Sequence, residues 1–499
     1  MKKLYVNNKK IITPNFKGFN FVHQMYEYMP DKLGRELTPK MVKLEYEIFE
    51  KMRVRSIRSF YGSSLSWDNV KKDYNFESTH MKAFYKSCLD FQKMGIDIGI
   101  TPQWQFKGFL APPLEGEYPN GVNIGRFDNV VENDLEATAK NFEKFVERSV
   151  LEFEKHGIHN IKYLYCFTEC NNTFNHRNKE EKLAKKMPLV ECREYDELIP
   201  IFARFIEAVD RGLKNAGKRD QYKIVAPCDN WRADDRSEPY SILVKYCLEH
   251  LADKIDIIGS HNGYDRHHSY TDDNYYYHPY KKMVEPIVRA KQYGKEFWID
   301  EYNAAIHGNY LSWQKRTSNR DPYKGLALGA LVNSIMNMGG VSNLMLWTLF
   351  DQQWPDHTND GGFDKGVLVC GYYPDLLVEQ TPLAPWYSAS LISRYVGAGD
   401  VYECKVADST YVSALKRTDG EITVVVTNYL DTPTNIEVEF AENLGGKTFY
   451  KYIYDPKADY SSLGNEMISC SGSVGEIYEK ITDKLPGYAM VIYTTEKPE

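Results

Sequence analysis

Residues 297–303 read Phe-Trp-Ile-Asp-Glu-Tyr-Asn, a short apolar run that ends in two adjacent carboxylates. A strand that is apolar throughout, instead of alternating, is typical of a parallel sheet that helices cover on both faces. In such sheets the chemistry lies at the carboxyl ends of the strands. We therefore interpret this segment as a buried strand that carries Glu301 to a functional site.

Further apolar segments of the same kind alternate with segments of helical spacing. The eight predicted strands are Phe16–Val22, Val54–Phe60, Ile96–Thr101, Ile161–Phe167, Lys223–Ala226, Ile255–Ser260, Glu296–Ile299 and Val341–Thr348. The predicted helices between them include Met41–Met52, Met81–Met94, Leu135–Lys155, Ile199–Ala216 and Ser241–Leu251. This alternation predicts the α/β class and a (β/α)₈ TIM barrel. A doubly wound sheet is the alternative, but no glycine-rich phosphate turn follows an early strand.

After Tyr395 the pattern changes to short β-type runs separated by turn residues, which predicts a C-terminal antiparallel β-sandwich. Near the N-terminus, Leu4–Val6 and Ile11–Ile12 predict a hairpin-like pair around Asn7-Asn8 that joins this sandwich. The predicted domains are therefore a catalytic barrel over residues 13–398 and a sandwich over residues 399–499 plus 1–12. The predicted sandwich strands are Thr410–Lys416, Glu421–Asn428, Thr434–Phe440, Lys447–Tyr454 and Tyr488–Thr494.

The composition of the 499 residues narrows the class of protein. With 42% hydrophobic and 26% charged residues the chain is globular, and wholesale disorder is excluded. The 62 basic and 69 acidic residues give a net charge of −7, which argues against a nucleic-acid partner. Aromatic residues make up 14%, and tyrosine and tryptophan stack well on the flat apolar faces of polar ligands.

The cysteines and the longest uncharged segment indicate whether the protein is secreted, cytoplasmic or membrane-bound. The nine cysteines form no CxxC pairs and predict the reduced thiols of a cytoplasmic protein, and no apolar signal segment follows the basic N-terminus. Residues 325–350 carry no charge, but their Asn and Ser residues make them too polar for a membrane span. We expect a buried helix, a stop at Gly339-Gly340 and a buried strand there, and no membrane partner.

Two glutamates follow predicted barrel strands. Glu169 is the second residue after the predicted fourth strand, and Glu301 is the second residue after the seventh. Each could be a strand-end ion-pair partner, but two glutamates that face each other across a barrel mouth are what a retaining glycosidase requires. One is the nucleophile and the other a proton donor that later acts as base, with carboxyl groups about 5–5.5 Å apart.

In these motifs the sequence resembles clan A of the glycoside hydrolases, most of all family 39, the β-xylosidase and α-L-iduronidase group, with the family 51 arabinofuranosidases behind it. Arg58 matches the arginine of the clan's second strand. His261 and Tyr264 are similar to its histidine and aromatic pair near the nucleophile, and Trp347 matches the tryptophan that floors the sugar site. For each matched residue a structural role is the alternative: an ion pair for Arg58, a hydrogen-bonded core histidine for His261 and core packing for Trp347.

The resemblance implies that Glu301 is the nucleophile and Glu169 the acid/base, with a β-xyloside-like or related plant or host glycan as substrate and no cofactor or metal. Glu301 should be ionised, with Arg58 and Tyr264 as candidate partners, whereas Glu169 should keep its proton near neutral pH. The sequence departs from the clan at Thr168, where the clan usually has the asparagine that holds the substrate 2-hydroxyl. Because threonine is shorter, the identity of the sugar does not carry over.

Loops at the same end of the barrel carry tryptophans next to amides, a combination that stacks on a sugar ring and bonds its hydroxyls. These predicted substrate-binding residues are Trp104, Trp231 and Trp354. The alternative is that each ring packs under its own loop. Residues 265–282 contain several histidines and tyrosines, but their spacing matches no metal-ligand pattern, and a mobile aromatic rim is the preferred interpretation.

The predicted function is thus retaining hydrolysis of an oligosaccharide or glycoside. The alternatives are a catalytically inactive carbohydrate-binding barrel, and an endo-acting or arabinofuranosidase-type glycosidase. Chain-end preference and a homo-oligomeric state stay open in the sequence.

Overall fold

A computed structural model describes residues 1–25, 27–29, 36–61, 65–68, 71, 73–101, 135–168, 193–230, 241–261, 278–302, 321–349, 382–407 and 409–499. The strands are β1 Lys2–Phe16, β2 Phe19–Val22, β3 Ser56–Phe60, β4 Trp67–Asp68, β5 Asp73–Tyr74, β6 Asp97–Thr101, β7 Ile161–Tyr165, β8 Lys223–Asn230, β9 Ile257–His261, β10 Glu296–Tyr302, β11 Val341–Leu346, β12 Gly399–Lys405, β13 Thr410–Arg417, β14 Ile422–Asn428, β15 Thr434–Phe440, β16 Lys447–Tyr454, β17 Gly472–Ile477, β18 Lys480–Leu485 and β19 Ala489–Thr494. The α-helices are α1 Pro39–Met52, α2 Thr79–Lys93, α3 Leu135–Lys155, α4 Arg193–Asn215, α5 Ile242–His250, α6 His278–Gln292, α7 Tyr323–Met338 and α8 Ala384–Tyr395.

Eight strands form a closed parallel barrel in the order β2-β3-β6-β7-β8-β9-β10-β11, and β11 pairs back with β2. One helix from α1 to α8 follows each barrel strand along the chain. The predicted (β/α)₈ TIM barrel is therefore confirmed, and the predicted strands differ from the observed ones only in their ends. Helix α6 contradicts the loop predicted for residues 265–282, because it already begins at His278.

Local sequence signals explain where the helices begin and end. The Thr38 side chain accepts a hydrogen bond from the backbone N–H of Met41 at 3.3 Å, and Pro39 occupies the first position of α1. The same helix ends at Arg53, whose φ of 52° is left-handed. Within the described residues, no helix combines the length and apolar character that crossing a bilayer requires.

Helix α7 occupies the charge-free segment and is buried on nearly all sides, as the sequence predicted. It ends at Gly339, whose φ of 72° suits glycine. On the face toward the C-terminal sheet, a Cβ on Gly325 would lie 2.5 Å from the Tyr454 ring, and a Cβ on Gly329 would lie 2.7 Å from the sulfur of Met490. These glycines let the sheet approach the helix backbone.

The remaining long strands form one nine-stranded sheet in the order β17-β16-β19-β14-β13-β12-β1-β15-β18. Its two edge strands, β17 and β18, contact each other, so that the sheet curls around a core of its own as a sandwich. The pairing is antiparallel except between β1 and β15, which run parallel.

The N-terminal hairpin prediction was wrong. Residues 2–16 form a single strand, β1, which pairs with β12 on one side and with β15 on the other. The expectation that this segment joins the C-terminal sheet is correct. The domain limits placed at residues 12 and 13 and at 398 and 399 stay predictions, and β1 runs across the first of them.

Polar contacts fix the sheet to α7. The amide of Asn333 donates to Thr427 Oγ1 at 3.0 Å and accepts from Ser413 Oγ at 2.6 Å, so both of its ends have partners in a buried interface. Packing of α7 and α8 between barrel and sheet joins apolar residues of all three layers into one continuous core.

Deleting residues 399–499 should yield an aggregating barrel. The deletion would expose the face of α7 that Tyr454 and Met490 cover, together with the edge of β1, and both features favour association. Size-exclusion chromatography of the soluble fraction checks this, and a monomeric truncated chain with full activity would contradict it.

Candidate functional site

A β-bulge on β10 shapes the site. Ile299 pairs with Ser260 of β9 and Glu301 pairs with His261, so Asp300 is an extra residue between two paired positions. Consecutive side chains on a regular strand would point to opposite faces. Here Asp300 and Glu301 are both buried, with 0% and 5% exposure. The bulge therefore brings two neighbouring carboxylates to the carboxyl end of the barrel.

Arg58 of β3 contacts Glu301 of β10 and also residues on β6 and on and after β7. Its Nη1 lies 3.1 Å from Glu301 Oε2, and its Nη2 donates to Thr168 Oγ1 at 2.7 Å. Its Nε donates to Thr101 Oγ1 at 3.1 Å, and its guanidinium carbon lies 4.8 Å from the centre of the Tyr165 ring. Full burial and this set of acceptors fix the guanidinium in one orientation.

His261, the last residue of β9, contacts the same oxygen of Glu301. Its Nε2 lies 3.2 Å from Arg58 Nη1. Because guanidinium nitrogens only donate, Nε2 is the acceptor in this contact, which assigns the ring proton to Nδ1. Nδ1 lies 3.4 Å from Glu301 Oε2. Two groups of positive or donor character thus face one carboxylate oxygen, an arrangement that suits an ionised glutamate.

The charges below the barrel mouth affect one another strongly. Burial disfavours the charged form of Arg58, but the carboxylates of Asp300 and Glu301 outweigh it, and the pKa of Arg58 is raised. Burial raises the pKa of Asp229, on β8, to about 6, although Ser241 and Ser260 donate to its oxygens. Since Ser241 is also the N-cap of α5, Asp229 ties that helix to β8, which is a structural role.

Trp347 follows β11 directly and lies in the barrel interior with 8% exposure. Its ring packs edge-on against Phe60 of β3, with centroids 5.8 Å apart. Its backbone N–H donates to the carbonyl of Tyr302 at 2.7 Å, and its peptide bond to Thr348 is cis. The indole is thus held at the same end of the barrel as Glu301, where an aromatic face can floor a ligand site.

The structure brings together four of the predicted site residues, namely Arg58, Thr168, His261 and Glu301, and places Trp347 at the same end of the barrel. The other predicted site residues lie outside the described residues: Trp104, Glu169, Trp231, Tyr264 and Trp354. The predicted separation of the two carboxyl groups, which depends on Glu169, stays a prediction.

Two contributors to the site received no role in the sequence interpretation. Thr101 holds Arg58, and a polar residue at the end of an apolar strand was a usable signal for it. Asp300 was visible in the motif, but its burial beside Glu301 depends on the bulge, which the sequence pattern does not reveal.

A second buried polar cluster lies behind β2. His23 Nε2 is 2.7 Å from Glu27 Oε1 and 3.4 Å from Glu45 Oε1, and Ser87 Oγ donates to Glu27 Oε2 at 2.5 Å. These residue types could ligate a metal ion. The 2.7 Å separation, however, is that of a hydrogen bond, and the cluster joins the end of β2 to α1 and α2 as a buried polar network.

No protein-family model and no curated protein matches the chain. Solved structures of similar fold include a glycoside hydrolase family 30 subfamily 8 xylanase from Clostridium acetobutylicum, with 12% identity, 99% coverage of both chains and a TM-score of 0.60. A family 51 α-L-arabinofuranosidase from Thermotoga petrophila has 12% identity, coverage of 99% of this chain and 100% of that one, and a TM-score of 0.59. An endo-β1,6-glucanase has 14% identity, coverage of 99% and 93%, and a TM-score of 0.59. The chain therefore has the fold of these glycoside hydrolases, a TIM barrel with an attached β-sandwich.

Proposed function

We propose that the protein is a retaining glycoside hydrolase, with Glu301 as nucleophile and Glu169 as acid/base. The observation that carries the proposal is the geometry at Glu301, a buried carboxylate at the carboxyl end of the barrel whose Oε2 lies 3.1 Å from Arg58 Nη1 and 3.4 Å from His261 Nδ1. The similarity in fold to xylanases and an arabinofuranosidase supports the same class of reaction.

In the first step a carboxylate oxygen of Glu301 attacks the anomeric carbon. The bond from that carbon to the leaving oxygen breaks, and the leaving oxygen takes the proton of Glu169. In the second step Glu169 accepts a proton from water as the water oxygen attacks the anomeric carbon, and the ester bond to Glu301 breaks. Two inversions release the sugar with retained configuration.

The residues around Glu301 keep it ionised and aligned. Arg58 and His261 bind one of its oxygens, and Thr101 and Thr168 hold Arg58 in turn. Because the Thr168 hydroxyl accepts from Arg58, it can donate its own hydrogen to a sugar hydroxyl. We infer that Thr168 takes over part of the role of the clan's asparagine with a shorter reach.

For the substrate we propose a β-xyloside-like or related glycan, bound over Trp347, with Trp104, Trp231, Tyr264 and Trp354 at the rim. Family 39 as the nearest family is part of this proposal and rests on the sequence motifs. We also propose separate roles for the two domains. Residues 13–398 carry out the reaction, and residues 399–499 with 1–12 contribute stability.

A panel of aryl glycosides tests the function. We expect turnover of at least one member among β-xylosides, α-L-arabinofuranosides and β-glucosides, with NMR showing the retained anomer first. Absence of turnover with every aryl glycoside and with polymeric xylan would instead favour an inactive carbohydrate-binding barrel. An inverted first product would overturn the double-displacement mechanism. Cleavage of xylan without release of terminal sugars would identify an endo-acting enzyme.

A further inference from the structure

Asp300 lies in the barrel interior directly beneath the site. Its side chain is fully buried, and its Oδ2 lies 3.9 Å from His261 Nε2. Its backbone carbonyl accepts a hydrogen bond from Arg58 Nη1 at 3.3 Å. The charges of Asp300 and Glu301 therefore both act on the Arg58 guanidinium, and both carboxylates lie near the His261 imidazole.

Few hydrogen-bond donors surround this carboxylate. Among the described residues, neither Oδ1 nor Oδ2 of Asp300 has a hydrogen-bond partner that meets standard geometry. A Cβ on Gly259 would lie 2.8 Å from its Oδ2, 2.9 Å from Val225 and 3.0 Å from the Cys228 sulfur, so apolar groups and a thiol pack around it. Burial, followed by the charge of Asp300, raises the pKa of the Cys228 thiol. A carboxylate with so few donors acts on its neighbours mainly through its charge.

We propose that Asp300 is a positioning residue that shares the positive charge of Arg58 with Glu301, and so keeps the nucleophile reactive. This inference rests on the proposed function of Glu301. Without Asp300, the positive charge of Arg58 would act on Glu301 alone. A carboxylate that is stabilised more strongly in the ground state attacks more slowly.

The same charge favours the transition state. As Glu301 forms its bond to the anomeric carbon it gives up negative charge, while positive charge grows on the sugar ring. A fixed negative charge beneath the site stabilises that change without any reorganisation. Asp300 acts through its neighbours and its charge, since its side chain is fully buried.

The titratable groups that influence Asp300 come from five strands of the barrel. They are Arg58 on β3, Tyr165 on β7, Cys228 and Asp229 on β8, His261 on β9 and Glu301 on β10 itself. Only Arg58 carries a permanent positive charge among them, so removal of one carboxylate changes the balance appreciably.

The test is Asp300→Asn, measured as kcat and kcat/KM against pH on the best aryl glycoside. We expect kcat to fall about tenfold and the acidic limb of the kcat/KM profile to move about one unit to lower pH, because a neighbouring negative charge no longer opposes ionisation of Glu301. A matched control is Asp210→Asn, which removes a buried carboxylate paired with Lys214 and Arg219 away from the site. It should lower thermal stability and leave the pH profile in place.

A wild-type kcat and acidic limb in Asp300→Asn would overturn the inference, as would an equal shift in the control. Cys228→Ser provides a second variant in case Asp300→Asn fails to fold. The serine hydroxyl is a better hydrogen-bond donor to Asp300 than the cysteine thiol. It should therefore weaken the effect of the Asp300 charge on Glu301 and move the acidic limb to lower pH, by less than Asp300→Asn does. An unmoved limb in that variant counts against the inference. A wild-type chain that turns over no glycoside rejects the proposed function itself.

Discussion

Replacing Glu301 by alanine should abolish turnover on every glycoside, whatever its leaving group. In the proposed mechanism the covalent intermediate forms on Glu301, so the loss in kcat should be on the order of 10⁵-fold or more, as for other enzymes that lose a nucleophile. The cavity left by the side chain admits a small anion. Added azide should therefore restore slow turnover by direct attack, and NMR should identify the product as the glycosyl azide of inverted configuration.

The control lies on the same strand. Glu296 stands at the opposite end of β10, where its half-exposed side chain forms an ion pair with Lys17 at 3.6 Å. Glu296→Gln and Glu301→Gln make the same chemical change at the two ends of one strand, and only the second should inactivate. Wild-type activity in Glu301→Ala would show that this carboxylate is structural, and the proposed mechanism would then fail.

The barrel could be predicted because its strands are buried on both faces. β11 is an example, since each of its residues from Val341 to Leu346 is buried and four of the six are apolar, without the regular alternation of a half-exposed strand. Apart from Lys324 in its first turn, α7 has no charged residue, and this composition likewise follows from its position between barrel and sheet. Where an element is buried on all sides it consists mainly of apolar residues, and its position in the fold can then be predicted from the sequence.

The errors in the sheet have a different cause. Asn7-Asn8 resembles a turn, but Asn7 Nδ2 donates to Glu403 Oε2 at 3.0 Å and Asn8 Nδ2 donates to the carbonyl of Glu442 at 3.1 Å. The two amides thus bind β12 and the chain just after β15 instead of closing a turn, and pairing with β12 before and after this point keeps β1 extended. β17 was missed because it contains Gly472 and Gly475, which are poor strand formers.

The sequence predicted individual site residues near the ends of strands, but not the contacts between them. Arg58, His261 and Glu301 could be identified because each lies near the end of a predicted strand and matches a motif of the clan, but their contacts with one another depend on barrel closure, which brings β3, β9 and β10 together. The burial of Asp300 beside Glu301 depends on a single extra residue in the pairing of β9 and β10. Such a bulge leaves no signal in the pattern of apolar residues.

Replacing Glu169 by alanine should produce a loss that depends on the leaving group. A proton donor matters only where the leaving oxygen needs a proton, so activity on a natural glycoside should fall on the order of 10²–10⁴-fold. With a dinitrophenyl leaving group, which is stable as an anion, formation of the glycosyl-enzyme should be nearly spared. Stopped-flow measurement should then show a burst of dinitrophenolate followed by slow turnover, because the intermediate lacks the base that activates water.

Rescue by azide distinguishes the role of Glu169 from that of Glu301, and it does not require the distance between the two carboxyl groups. An anion needs no base, so azide should attack the intermediate that accumulates in Glu169→Ala and restore turnover of the dinitrophenyl glycoside. Because that attack is the second inversion at the anomeric carbon, the product should be the glycosyl azide of retained configuration, opposite to the product expected from Glu301→Ala. A glycosyl azide of inverted configuration from Glu169→Ala would mean that Glu169 is the nucleophile and Glu301 the acid/base. Equal losses on natural and dinitrophenyl glycosides, with no burst, would remove Glu169 from acid/base catalysis and require a different proton donor at the barrel mouth.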